Sequence, residues 1–517
     1  MSNVKKKMKE IVTARGTSSA ALTAAVIAVV IAFNAVIYAL TSLFGLYIYT
    51  PHSEDLSLSG ATDALFEEAI KDGKQVTITF CMSEKDLKEH STGSFVYQTA
   101  KALSEKYEDF IKLRFVNIYT HIDDESKKFV SLEKYKTDLR GNETPLRANS
   151  VIFSSGEDSG EIKKENYRVI TDVSSGAGFS DFYVLDGNGD AYAYIGEEII
   201  SSMVCWVLQT THKTAYLTQN HGETIDRAFN VALSCAGYYV STVNLRTSNR
   251  VPEDADLVII SNPTSDFERG ANASVYAEIE KLETYMSQEN GSVYVSLDPN
   301  ARRLTNLEGF LADWGITVDG SEREDVYYKH IVKDNDLATT LDGITFSAAF
   351  SEGEKANAVI GGLKESGLGV KLREAASLVL DQSCGAVSLR TSSATAVTMA
   401  GDEVASEEGG FTVAAYSEKK NKQGGLSRVF VIPSTYMTST EALTGDGFCN
   451  KDFVYSVLTE VFDASYAPIG CRRVVYDIKA LEGLTFGTAD IYAAIILSIP
   501  VALCALGVVT VVRRKHR

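Results

Sequence analysis

Two long apolar runs frame the chain. No residue from Gly16 to Ser53 carries a formal charge when His52 is neutral, and Ile491 to Val512 is again free of charge. Each run is long enough to cross a hydrocarbon core about 30 Å thick, which takes about 20 helical residues. Lys5, Lys6, Lys7, Lys9 and Arg15 precede the first run, and Arg513, Arg514, Lys515 and Arg517 follow the second. By the positive-inside rule this places both termini in the cytoplasm. The pattern therefore predicts transmembrane helices over 19–48 and 489–512, cytoplasmic basic tails over 1–18 and 513–517, and a large extracytoplasmic part between them. The first run is longer than a signal-peptide core and ends in Leu46-Tyr47-Ile48-Tyr49, an aromatic interfacial belt, so an uncleaved anchor is expected.

Between the runs the period shifts repeatedly between that of strands and that of helices. A helix over Ala61–Ile70 leads to a strand over Gln75–Phe80 and a helix over Ser94–Phe110. A strand over Lys112–Tyr119, a charged helix over Glu125–Leu139 and a strand over Ser150–Ser154 follow. An extended piece over Tyr167–Thr171, a hairpin over Phe182–Ile195 and a helix over Glu197–Gln209 complete the set. The order β-α-β-α-β-β-α predicts a thioredoxin-like domain over 60–212. Cys81 stands just after the first strand, where a redox thiol would sit. The run Cys81-Met82-Ser83-Glu84 has no resolving cysteine, so a scaffold without redox chemistry is expected.

A second unit, 213–485, alternates strands and helices: Thr214–Thr218, Ile225–Ala236, Tyr238–Leu245, Leu257–Ser261, Ser274–Ser287, Ser292–Leu297 and Leu304–Trp314. This alternation predicts a doubly wound, mostly parallel sheet. The stretch around 319–370 reads as an insertion. Strands return at Ser377–Leu380, Ala386–Arg390, Phe411–Tyr416 and Arg428–Ile432, and a helix at Lys451–Phe462. The fold class expected is thus α/β: a two-span membrane-anchored protein with a thioredoxin-like domain followed by a doubly wound domain.

Composition narrows the function classes. The net charge is −18, and because both ends are basic the interior is more acidic still. That argues against nucleic acid as a partner, which requires a basic face. With 45% hydrophobic residues and eight prolines, the interior suits folded α/β structure rather than a disordered stalk. The seven cysteines form no C-x-x-C pair and no zinc spacing. Asp186, Asn188, Asp190 and Glu197 match four positions of a calcium loop, but Ala191 stands where the sharp turn needs glycine, and Asn188's neighbour Gly189 makes a plain hairpin turn the expected reading. No metal and no cofactor is expected. The chain carries no Walker-type phosphate loop and no recognised hydrolase or dinucleotide motif in a fitting context.

One compact polar constellation remains: Gln219, Asn220, His221, Gly222 and Glu223, between a strand's carboxyl end and a helix start, where open α/β sheets bind ligands. His221 and Glu223 are residue types for acid–base work, without an assignable nucleophile beside them. On the alternative reading of turn geometry, Gly222 permits the turn, Glu223 caps the helix, and His221 is dispensable for stability.

Here the chain resembles a known family. Ala215-Tyr216-Leu217-Thr218-Gln219-Asn220-His221-Gly222-Glu223 is similar to the strand and "GHGE" segment of GldG-type proteins, auxiliary components of gliding-motility-associated ABC transporters. In order follow the segment from Val251 to Pro263, the helix, turn and strand of Glu280–Pro299, and Leu311-Ala312-Asp313-Trp314-Gly315-Ile316. Asn220 replaces the first glycine of GHGE, and Asn290-Gly291 stands where Gly-Gly is usual. The resemblance implies a class I glutamine-amidotransferase-like second domain and a non-catalytic auxiliary subunit of an ABC-type transport complex, with separate permease and ATPase chains as partners. The amidotransferase nucleophile elbow is not recognisable, so that activity is not implied. The alternatives are a surface-exposed ligand- or cell-wall-binding protein and a surface hydrolase using His221 and Glu223.

Overall fold

A computed structural model describes residues 57–475 except 72, 157–162, 172–178, 186–190, 271–276, 288–290 and 446. Helix α1 (Ala61–Lys71) precedes strand β1 (Val76–Phe80), whose five residues are all buried. Ser83 then caps a short helix, α2 (Glu84–Glu89), its hydroxyl accepting the Asp86 N–H. Helix α3 (Gly93–Lys106) returns the chain to β2 (Ile111–Asn117), which lies parallel to β1. Strands β3 (Ile122–Asp123), β4 (Val151–Ser155) and β5 (Tyr167–Ile170) complete a five-stranded sheet in the order β3-β2-β1-β4-β5, with β4 antiparallel to both β1 and β5. The hairpin β6 (Tyr183–Leu185) and β7 (Ala191–Tyr194) leads into α4 (Gly196–Leu208), buried along its length from Gly196 to Val207.

The charged helix expected over Glu125–Leu139 does not form; a single 3₁₀ turn at Glu133–Tyr135 takes its place. The reason is local. Asp123 accepts the Ser126 N–H at 2.6 Å and the Ser126 hydroxyl at 2.7 Å, which turns the chain at the start of the expected helix. Leu132 and Tyr135 of this run pack with Cys81 and Ile152 in a core without a helix to present them.

The second sheet begins with β8 (Lys213–Thr218), followed by α5 (Arg227–Cys235), β9 (Tyr238–Val243), β10 (Leu257–Ser261), α6 (Glu278–Ser287), β11 (Ser292–Ser296) and α7 (Thr305–Asp313). Strands β8, β9, β10 and β11 are parallel. Val258 and Ile260 of β10 are fully buried, as a strand covered on both faces requires. Short strands β12 (Ile316–Val318), β13 (Gly320–Arg323), β14 (Val326–Lys329) and β15 (Ile331–Lys333) follow, then β16 (Thr345–Phe350), α8 (Glu354–Lys364) and β17 (Val370–Arg373). The chain continues through β18 (Leu378–Leu380), β19 (Ala386–Thr391), β20 (Val397–Ala400), β21 (Glu403–Val404), β22 (Thr412–Lys420) and β23 (Leu426–Ile432) to α9 (Thr440–Thr444), α10 (Asn450–Glu460) and β24 (Val474–Val475).

The main path of this sheet runs β17-β16-β19-β22-β23-β11-β10-β8-β9. It is half parallel and half antiparallel, not mostly parallel. Strand β23 lies parallel to β11 but antiparallel to β22, because a tight turn at Asn421–Gly425 joins β22 and β23 as a hairpin. The stretch expected to be an insertion supplies β16 and leads into β17, and these two strands form the far edge of the sheet.

The described residues belong to one compact unit. A buried ion pair between Glu198 of α4 and Lys451 of α10, with Tyr455 donating to the same carboxylate at 2.5 Å, ties the two sheets' helices together. Glu197 accepts the Ser59 N–H at 2.8 Å, the Thr62 hydroxyl at 2.7 Å and the Arg472 N–H at 3.3 Å, so the two ends of the described chain meet at one carboxylate.

Among the described residues no helix is long and apolar enough to cross a membrane. The longest of them, α3, has 14 residues and rises only about 21 Å, short of the ~30 Å core. The expected spans 19–48 and 489–512 lie outside the described residues. The fold class is corrected to a mixed α/β protein, and the two-span membrane architecture and two-pass localisation are not carried into the functional reading.

Candidate functional site: the loop after β8

Strand β8 is flanked by β9 on one side and β10 on the other, so the chain winds outward in opposite directions from the β8–β10 boundary. The loop at the carboxyl end of β8 therefore sits at the topological switch point, where a crevice for ligands normally opens. Here the crevice is filled by the protein itself. His221 is 4% exposed. Its carbonyl accepts the N–H of Thr264 at 2.8 Å and of Ser265 at 2.9 Å, both from the loop that follows β10. From the same loop Phe267 stacks on the imidazole, with centroids 3.8 Å apart and planes 12° apart.

Both ring nitrogens are engaged. Nδ1 lies 3.1 Å from Glu223 Oε1, and Nε2 lies 3.0 Å from Glu278 Oε2. Each carboxylate has a further donor: the His221 N–H reaches Glu223 Oε2 at 2.6 Å, and the Glu268 N–H reaches Glu278 Oε2 at 2.9 Å. Burial works against the charged imidazole, but the carboxylates of Glu223 and Glu278 outweigh it and raise its pKa to about 9. Burial likewise pushes the two carboxylates up, and their bonds to His221 and to backbone N–H groups bring both below the usual range. The ring is thus an imidazolium clamped between two anions near neutral pH. General-base catalysis needs a free ring nitrogen facing a nucleophile's proton, and this arrangement leaves neither nitrogen free.

The turn itself depends on two left-handed residues. Asn220 has φ of 82°, a conformation asparagine tolerates better than most residues. Gly222 has φ of +75°, and a Cβ there would lie 2.0 Å from Thr264 Oγ1. Gln219 and Asn220 are exposed and stand apart from the buried triad. Glu223 does not cap the helix as the turn reading expects. Helix α5 starts at Arg227 behind Asp226, and Asp226 itself accepts the Thr440 N–H at 2.7 Å.

Glu278, Thr264 and Phe267 escaped the sequence reading. Glu278 follows His221 by 57 residues, and only the pairing of β8 with β10 brings their loops together. A partial signal existed: a charged residue at an inward position of the amphipathic helix α6 needs a partner.

The other candidates separate cleanly. Cys81 is fully buried, and burial pushes its thiol up to about 12, so it supplies no thiolate for exchange. All six described cysteines are free. Asp186, Asn188 and Asp190 lie outside the described residues. Glu197, the fourth residue of that pattern, is engaged by Ser59, Thr62 and Arg472. Among the described residues no group of three His, Cys, Asp or Glu side chains is placed to hold a metal ion.

No family model matches the chain, and no curated protein matches it. Among solved structures, the mmIFT52 N-terminal domain is 15% identical, covers 48% of this chain and 96% of its own, and superposes with a TM-score of 0.36. PurLQS from Thermotoga maritima is 14% identical, covers 48% of this chain and 100% of its own, with a TM-score of 0.26. Neither is a GldG-type protein, and likeness this distant leaves the function to be argued from the residues.

Proposed function

We propose that the chain is a non-catalytic auxiliary subunit of an ABC-type transport complex, working with separate ATPase and permease chains. The observation that carries the reading is the His221–Glu223–Glu278 clamp. The loop at which the ordered resemblance to GldG-type proteins begins is built as a structural node, with both imidazole nitrogens bound to carboxylates and the ring covered by Phe267. A subunit of this kind needs a rigid body that presents surface to partners, and the clamp fixes the two loops at the head of the sheet. The hydrolase alternative asks His221 and Glu223 for proton transfer that their mutual pairing opposes. The wall-binding alternative has no observation in its favour.

The reading is tested by affinity purification of the full chain from its native host in mild detergent, with identification of the bound chains. An ATPase and a permease are expected together at near-stoichiometric yield. Recovery of the chain alone, or with carbohydrate or wall fragments only, would contradict the proposal.

A further inference from the structure

A second polar cavity lies at the seam of the two sheets, away from the His221 loop. It has a volume of about 180 Å³ and is lined by Thr137, Asp138, Tyr167, Arg168, Trp206 and Tyr239, among others. Arg168 comes from β5, Trp206 from the last turn of α4, Tyr239 from β9, and Asp138 from the turn that replaces the expected helix. Two donors in this lining are buried and have no hydrogen-bond partner among the described residues: Arg168 Nη1 and Trp206 Nε1. The Arg168 guanidinium lies over the Trp206 ring, 5.1 Å from its centroid, and the indole is fixed by His212 stacked 3.7 Å away.

A buried guanidinium nitrogen with no hydrogen-bond acceptor carries a desolvation cost that an anion bound to it offsets. Asp138 acts on Arg168 through its charge but makes no hydrogen bond to it. Its carboxylate accepts the N–H of Arg140 at 2.9 Å, the N–H of Asn142 at 2.8 Å, the Asn142 side-chain amide at 2.9 Å and the Tyr239 hydroxyl at 2.7 Å. With its acceptor positions filled, it also leaves a negative charge at the rim, which disfavours a dianion more than a monoanion. The planar fork of arginine matches the two oxygens of a carboxylate, and the indole N–H adds a third donor. Trp206, Tyr167 and Tyr239 supply aromatic wall for the remainder of such a molecule. The volume takes one small ring.

From this geometry we propose that the seam cavity is a binding site for a small organic monocarboxylate bearing a ring, held by Arg168 and Trp206. Its lining comes from both sheets, so the bound molecule would brace the two against each other. The proposal does not depend on the transporter reading.

Benzoate is the probe. The chain has two tryptophans, so Trp314→Phe leaves Trp206 as the sole indole reporter. In that background, titration of the full chain with benzoate is expected to quench Trp206 emission saturably and to raise the melting temperature. Arg168→Met is expected to weaken benzoate at least about tenfold, the loss typical of a charge-assisted hydrogen bond. If that variant does not fold, Arg168→Lys carries the comparison, because it keeps the charge and loses the fork, and the same weakening is expected. Inorganic phosphate is expected to compete poorly. The absence of a saturable benzoate signal, equal affinity in the arginine variants, or phosphate binding as well as benzoate would each overturn the assignment.

Discussion

Gly222→Val is expected to destabilise the protein by about 3 kcal/mol or more. Two costs add. The residue has φ of +75°, where a β-branched side chain is strained, and its Cβ would stand 2.0 Å from Thr264 Oγ1. Thr264 cannot simply rotate away without loss, because its N–H and hydroxyl both reach the His221 carbonyl, at 2.8 Å and 3.3 Å. The two costs separate in a pair of variants. Gly222→Ala keeps both the strain and the close approach. Gly222→Ala combined with Thr264→Ala removes the hydroxyl and leaves mainly the backbone term, about 1 kcal/mol. Denaturant melts of the three proteins check this order. A Gly222→Val protein as stable as wild type would show that the loop is not packed as described.

His221→Ala carries the second large effect, about 3–5 kcal/mol, the usual cost of removing one partner from a buried ion pair. The turn-geometry reading of the sequence made His221 dispensable, and the structure reverses that. Removing the imidazolium leaves the buried carboxylates of Glu223 and Glu278 without their shared cation. The pH dependence follows from the shifts. The folded pKa of His221, about 9, lies above its unfolded value of about 6.5. Its contribution is therefore fully present below about pH 6.5 and is lost as pH rises through 9. Glu223 and Glu278 have lowered pKa values, so their contribution is present above the unfolded carboxylate range and is lost as pH falls through the folded values. The stability gap between wild type and His221→Ala is expected to be widest from about pH 5 to 6.5 and to shrink between 6.5 and 9. A gap that stays constant across that alkaline range would contradict the clamp.

Much of this architecture could be read from the chain where local signals agreed with tertiary context. The strand expected over Gln75–Phe80 forms as β1, the helix over Glu197–Gln209 forms as α4, and Leu257–Ser261 forms strand β10 at the expected bounds. Those segments have strong periodicity or continuous apolar runs, and burial reinforces them. Glu125–Leu139 has helix-forming composition, but the turn that Asp123 sets at its start prevails. The antiparallel half of the large sheet was not legible, because the identity of strands β16, β17, β19 and β22 does not fix which neighbours they choose. The terminal apolar runs were the strongest sequence signal, yet they lie outside the described residues, and no described helix spans a membrane.

The candidate site was half legible. Sequence singled out His221 and Glu223 as acid–base residue types at a strand's carboxyl end, where open α/β sheets bind ligands. It could not show that the cluster is closed. That closure is made by Thr264, Phe267 and Glu278, which enter through long-range contacts after β10. The same limit applies to Arg168 and Trp206, whose proximity is created by the packing of α4 on the first sheet.

The central claim is that the head of the sheet is closed by a charged, fully engaged histidine and is not an open acid–base site. The most direct test is nitrogen NMR of the His221 ring in the full chain as pH is raised. The account predicts that both ring nitrogens stay protonated through neutral pH and that the ring loses its proton near pH 9. A neutral ring at pH 7.5 with one unprotonated nitrogen, titrating near the ordinary histidine value of about 6.5, would contradict it.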